Sequence, residues 1–448
     1  MLPFSEKCFK YADNDNNSDT GVRLPDGGYY MNPFNEKPCK IEKCVADWKK
    51  LYPTAYDKND ADAYTKVRAI LLNGAEFEEA WFMHQLSRHT QDNNLRRDVA
   101  FLRKLEQQQQ KRISFFKPKD ESMLETTISY EQLAVDLTAT LAQTEKNKYV
   151  KAALDFALLE DFDHLYRFSD LLEMEQGISG EKLVGSYTEI MPGRPTIAEH
   201  RHPFDDVRRP ITPDASLSTK LHTMIITAAE QQTMNFYMNL GTFYPTSDLG
   251  RKLFLEIGMI EEQHVTQYES LMDPTSTWLE CLLMHEYCEC YLYYSAMSEE
   301  TNEIAKKIWE SHFEQELSHL HYAAELLKKY EGKEWAQVIP NAEFPTLLTF
   351  SNNCEKNKHY IRNILKNTVN NTSVLEEYTD LNNVPDDYEY FKYNNAVNKT
   401  PTSVASHKVI DSYINEFGED YRFTVAEHPV KALRNRKEDN VNIARKKD

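Results

Sequence analysis

Residues 254–271, FLEIGMIEEQHVTQYESL, align Phe254, Ile257, Glu261, His264, Tyr268 and Leu271. Steps of three and four residues put all six on one face of a helix, so Glu261 and His264 share the stripe that turns toward a core. Residues 309–326, WESHFEQELSHLHYAAEL, repeat the frame with Trp309, His312, Glu316, His319, Ala323 and Leu326. A third copy runs through Leu154, Ala157, Asp161, His164, Phe168 and Leu171. Carboxylates in a core stripe are costly unless something positive faces them, and a metal cation is the expected compensation.

Each of these acids has an acidic partner upstream at a nearly constant interval. Glu230 precedes Glu261 by 31 residues, Glu286 precedes Glu316 by 30, and Glu131 precedes Asp161 by 30. A fainter copy places Glu76 30 residues before Glu106, with Gln109 where the others have histidine. About 30 residues out and back along a helical hairpin returns the chain to its starting height, since roughly 15 residues rise about 22 Å. A carboxylate on one helix therefore faces an acid/histidine pair on the next, and this hairpin unit occurs four times, fading toward the N-terminus.

Periodicity and breakers predict about eight long helices, at 64–90, 94–112, 125–145, 148–176, 217–242, 249–272, 277–297 and 301–331, an all-α chain. The breakers include QDNN (91–94), EKN (145–147), YPTSD (244–248), DPTST (273–277) and MSEET (297–301). The expected organisation is an irregular leader over 1–60, an N-terminal bundle half over 61–178 with degenerate metal-site repeats, and a Pro-rich crossover or lid over 179–216. A metal-binding bundle over 217–331 and a polar, Asn-rich C-terminal extension over 332–448, partly disordered, complete it.

The 448 residues carry a formal net charge of −19, which argues against a nucleic-acid partner. No stretch has the roughly 18 apolar residues of a membrane span, and the first residues lack a secretory pattern, so a cytoplasmic address is expected. Seven cysteines (Cys8, Cys39, Cys44, Cys281, Cys288, Cys290 and Cys354) include no CxxC pair and read as free thiols. Cys39 and Cys44 are spaced for the alternative, pairing or binding metal. The crossover residues Glu199, His200, His202, Asp205 and Asp206 are good ligand types without helical spacing, and a solvated loop is the plainer reading.

A Glu from each of two helices plus Glu-x-x-His from two others resembles the ligand pattern of the ferritin-like di-iron and di-manganese carboxylate superfamily. Residues 217–331 carry that resemblance, with Glu230, Glu261, His264, Glu286, Glu316 and His319 in the ligand positions. Glu289 resembles the extra glutamate of rubrerythrin-like members, and His312 is similar to the additional ligand of the p-aminobenzoate N-oxygenase family. The resemblance implies a ferritin-like helical bundle, or bundles, of repeated hairpins holding two Fe ions, with Mn or mixed Fe/Mn as alternatives. It further implies an oxidoreductase acting on peroxide or dioxygen, with oxygenation of a small substrate as one form. No four-cysteine rubredoxin module is present, so a separate electron donor is expected, as is a homo-oligomer. A non-catalytic iron store is the alternative function.

Two pairings of the hairpins are open. In the first, helices five to eight close one bundle around Glu230, Glu261, His264, Glu286, Glu316 and His319, which the unbroken ligand pattern favours. In the second, helices three to six close across the crossover with Glu131, Asp161 and His164 as the other half-site, leaving Glu286, Glu316 and His319 to share a site with Glu76 and Glu106. Two bundles, one intact and one degenerate, would also fit the repeat.

Overall fold

The computed structural model describes residues 31–190 and 207–366, together with Asn415. All regular structure in them is helical: α1 (Ala63–His89), α2 (Asn93–Phe116), α3 (Met123–Thr144), α4 (Lys148–Gln176), α5 (Gly180–Leu183), α6 (Leu217–Leu240), α7 (Asp248–Glu269), α8 (Trp278–Glu299), α9 (Glu303–Glu331), α10 (Trp335–Val338) and α11 (Cys354–Lys366). The eight long helices α1–α4 and α6–α9 are those expected from periodicity. The crossover contributes the one-turn helix α5, and the C-terminal extension packs back on the bundle through Phe344, Leu348, Phe350 and Ile361. The Glu199–Asp206 cluster and Cys8 lie outside the described residues.

Capping residues set where each helix starts, and they repeat with the acids. Asp92, Asn147, Ser247 and Asn302 cap the second helix of each hairpin, each with its side chain accepting a backbone N–H of the first turn. Each lies 14 residues before Glu106, Asp161, Glu261 or Glu316. Ser122 and Thr277 form capping boxes with Glu125 and Glu280 at the heads of α3 and α8. Gly177 and Gly332, left-handed at φ 65° and 68°, end α4 and α9.

These landmarks expose a larger repeat. Asp92 to Ser247, Asn147 to Asn302 and Gly177 to Gly332 are each 155 residues apart, as are α5 and α10 at their first residues. Buried acids at the hairpin ends follow the same offset. Glu145 accepts from Thr219 Oγ1 (2.8 Å) and lies 2.7 Å from His222 Nδ1, while Glu300 accepts from Thr65 Oγ1 (2.7 Å) and Arg68 Nε (2.9 Å). The chain is thus a tandem duplication in which each half holds two hairpins.

The halves exchange hairpins. α1/α2 of the first half packs on α8/α9 of the second, and α3/α4 packs on α6/α7, giving an outer and an inner four-helix unit nested along the chain. The first helix of each hairpin lies centrally, and α1 crosses α6 where the two units meet. A Cβ added to Gly74 on α1 would stand 3.2 Å from the Ala228 carbonyl oxygen and 3.0 Å from Gln232 Nε2, so glycine permits the close crossing. Residues 217–331 therefore do not close on themselves, and the first of the two pairings is corrected to the second.

Candidate metal centres

In the inner unit, α3 supplies Glu131, α4 supplies Glu160, Asp161 and His164, α6 supplies Glu230, and α7 supplies Glu261 and His264, all at most 1% exposed. Ligand atoms of Asp161, Glu230, Glu261 and His264 lie within 4.8 Å of one another, and so do those of Glu131, His164 and Glu261. The two groups share Glu261. His264 Nε2 sits 2.7 Å from Glu160 Oε2, which turns Nδ1 toward Glu261 (3.2 Å), Asp161 (3.3 Å) and Glu230 (3.7 Å). His164 Nδ1 lies 3.0 Å from Glu261 Oε1, and the two imidazoles stack at 5.9 Å between centroids.

The outer unit draws on α1 for Glu76 and Glu79, α2 for Glu106, α8 for Glu286 and Glu289, and α9 for Glu316 and His319, at most 2% exposed. Glu106, Glu286, Glu316 and His319 form one group within 4.8 Å; Glu76, Glu106, Glu289 and Glu316 form the other. Here Glu106 and Glu316 are shared. His319 Nδ1 is 2.6 Å from Glu106, 3.3 Å from Glu316 and 3.9 Å from Glu286. Gln109 takes the place that His264 holds in the inner unit and donates to Glu316.

Burial dominates the electrostatics. It pushes the carboxyls of Glu131, Asp161 and Glu261 in the inner unit, and of Glu76, Glu286 and Glu289 in the outer, well above their usual range. Burial raises Glu79 to about 8 and Glu106 to about 7. Burial opposes charge on His264 and His319, yet the carboxylates of Glu160, Glu230, Glu261 and Asp161 around one ring, and of Glu106 and Glu316 around the other, lift both well above normal. Several oxygens in each cluster, including both of Glu230, Glu286 and Glu289, have no hydrogen-bond donor. Five carboxylates and two imidazoles in one unit, and six carboxylates and one imidazole in the other, converge, so the acids outnumber the imidazoles that face them among the described residues. The clusters can hold metal ions.

A tyrosine braces each cluster from behind. Tyr237 on α6 donates to Glu131, and Tyr293 on α8 donates to Glu76. Each lies seven residues beyond the acid of its own helix, Glu230 or Glu286. His312, a candidate extra ligand from the sequence, is buried; its Nδ1 lies 3.0 Å from the Tyr293 hydroxyl and it belongs to neither group. Glu289 does join the outer group. Glu79 and Glu160 carry no spacing signal in the sequence and emerge only in three dimensions, and Glu76 and Glu106, expected to be degenerate, stand inside the outer cluster.

Compared with protein-family models, with curated proteins and with solved structures, the chain shows no match.

Proposed function

We propose that each cluster holds a pair of iron ions, and that the chain is a ferritin-like, non-haem di-iron carboxylate oxidoreductase that acts on peroxide or dioxygen. The observation that carries this reading is the overlap within each cluster. Two ligand groups joined through Glu261, or through Glu106 and Glu316, are what two cations bridged by carboxylates require. Mixed oxygen and imidazole ligation suits iron, with manganese or a mixed pair as alternatives.

When bound, two such ions supply one electron each to an oxygen–oxygen bond. The protein's part is to hold and orient them. Glu160 fixes the His264 ring so that Nδ1 faces the cluster, and Tyr237 and Tyr293 hold the carboxylates of Glu131 and Glu76 by donating to them. Cavities of about 340 and 310 Å³ open at the surface beside α7 and between α1, α2, α3 and α6, and no clustered carboxylate lines either.

Elemental analysis of protein grown in iron-replete medium tests the assignment. About four ions per chain are expected, falling to about two in Glu261→Ala/His264→Ala and equally in Glu316→Ala/His319→Ala. Iron near zero, or unchanged content in both variants, overturns it. Catalytic consumption of peroxide with a reductant separates the enzyme from a store, for which iron uptake would continue far beyond two ions per cluster.

A further inference from the structure

The leader segment before α1 lies across α9, where it brings two sulfurs to the helix that carries Glu316 and His319. Cys39 and Cys44 flank a single 3-10 turn, Ile41–Lys43, and their Sγ atoms are 3.6 Å apart. Disulfide bonding needs an approach of only about 1.5 Å from there. The two thiols occupy different surroundings. Cys39 is exposed and touches Ser318 Oγ at 3.1 Å, whereas Cys44 is buried, 5% exposed. Ser318 and His319 are consecutive on α9, so the pair lies against the helix that carries Glu316 and His319, with one sulfur exposed and one buried. The remaining described cysteines, Cys281, Cys288, Cys290 and Cys354, form no such pair.

We propose that Cys39 and Cys44 are a reversible dithiol–disulfide pair that delivers two electrons to peroxide reduced at the outer cluster. This rests on the peroxide reading above. The dithiol loses two electrons and two protons and its sulfurs join, while hydrogen peroxide takes them up, its O–O bond breaks and two waters leave. An external thiol then attacks the accessible Cys39 sulfur, and a second completes the exchange, restoring the dithiol and releasing the external disulfide. Cys39, the exposed sulfur, is placed to meet the reductant, and Cys44 is the buried sulfur of the pair. The separate electron donor expected from the sequence is thereby narrowed to a thiol.

The test uses the full chain, reduced and iron-loaded, given one equivalent of hydrogen peroxide, then alkylated and digested with trypsin. Lys40 and Lys43 place the two cysteines on different peptides, so their linkage gives one cross-linked mass. The expected result is that this species forms at least ~10-fold faster with iron bound than in chelated protein, and that Cys39→Ser abolishes both it and thiol-supported turnover while retaining the iron of both clusters. Equal rates with and without iron, or turnover with thiols undiminished in Cys39→Ser, overturn the proposal. Should the chain hold no iron, the function proposed above fails on its own measurement. The pair is then read by equilibrating metal-free protein in glutathione buffers. A two-electron transition at the linked peptides supports the dithiol, and its absence at every ratio overturns it.

Discussion

Tyr237→Phe and Tyr293→Phe each delete one oxygen and nothing else, and the two sites should respond independently. Tyr237 donates to Glu131 in the inner cluster, Tyr293 to Glu76 in the outer, and both hydroxyls are buried. A hydrogen bond to a charged group is worth about 1.5–3 kcal/mol when its partner is left without a replacement. Loss of a side chain that orients a metal ligand costs about 10–100-fold in affinity, or about 1.4–2.7 kcal/mol, so two separate lines of reasoning give the same size. Competition against a chromophoric chelator should therefore show one class of ions in Tyr237→Phe weakened 10–100-fold and the other unchanged, with Tyr293→Phe giving the reverse. The double variant should be additive, because the bonds share no partner. Tyr293 also touches His312, so Phe there leaves the His312 ring to reorient, and its loss should be at the upper end. Unchanged affinity in both variants, or equal weakening of all ions by either one, would refute the picture of two separately braced clusters.

Three further outcomes follow from groups outside the clusters. Asp136 accepts from Tyr64 (3.0 Å) and Thr188 (2.6 Å), and burial raises its pKa to about 7 against an unfolded value near 3.9. Its folded pKa lies above the unfolded one, so its contribution is intact below about pH 4 and falls by about 1.4 kcal/mol per unit up to pH 7, about 4 kcal/mol in all. Urea midpoints between pH 4 and 8 should flatten by that amount in Asp136→Asn, and parallel profiles would exclude the titration. Arg68, 2% exposed, bonds Glu299 (3.1 Å) and Glu300 (2.9 Å), so Arg68→Met should lose about 3–5 kcal/mol in denaturant unfolding, part of it recovered by adding Glu300→Gln. Gly74→Val places a branched side chain against the Ala228 carbonyl at the α1/α6 crossing and should cost about 1–3 kcal/mol in the same assay, whereas no loss would mean that the seam has slack.

The eight long helices were legible because each carries a capping residue and a core stripe of period three to four, both local signals. The acid/histidine pairs were legible because hairpin geometry fixes the height at which Glu230 meets Glu261, or Glu286 meets Glu316. Lateral pairing was not. Glu286 presents the same interval whether its hairpin packs on α6/α7 or on α1/α2, and only the fit of whole helix faces decides between them. The faint first repeat misled for a chemical reason: Gln109 stands where histidine was sought, while Glu79 and Glu289 supply the outer cluster with oxygens from positions that have no counterpart acids in the inner one. Glu160 was hidden beside Asp161, one residue off the stripe, reaching His264 from the neighbouring helix.

Nesting gives the two units different histories during synthesis. The inner unit is contiguous from Met123 to Glu269, so its four helices can assemble as soon as they leave the ribosome. The outer unit has its halves at either end, and α1/α2 waits from Phe116 until Trp278 for its partner to begin. At translation rates of about 5–20 residues per second that is roughly 8–32 s during which Glu76, Glu79 and Glu106 face no opposing helices. The inner bundle is complete before the outer one can close, so the acids of the outer cluster are brought together only when the last hairpin docks.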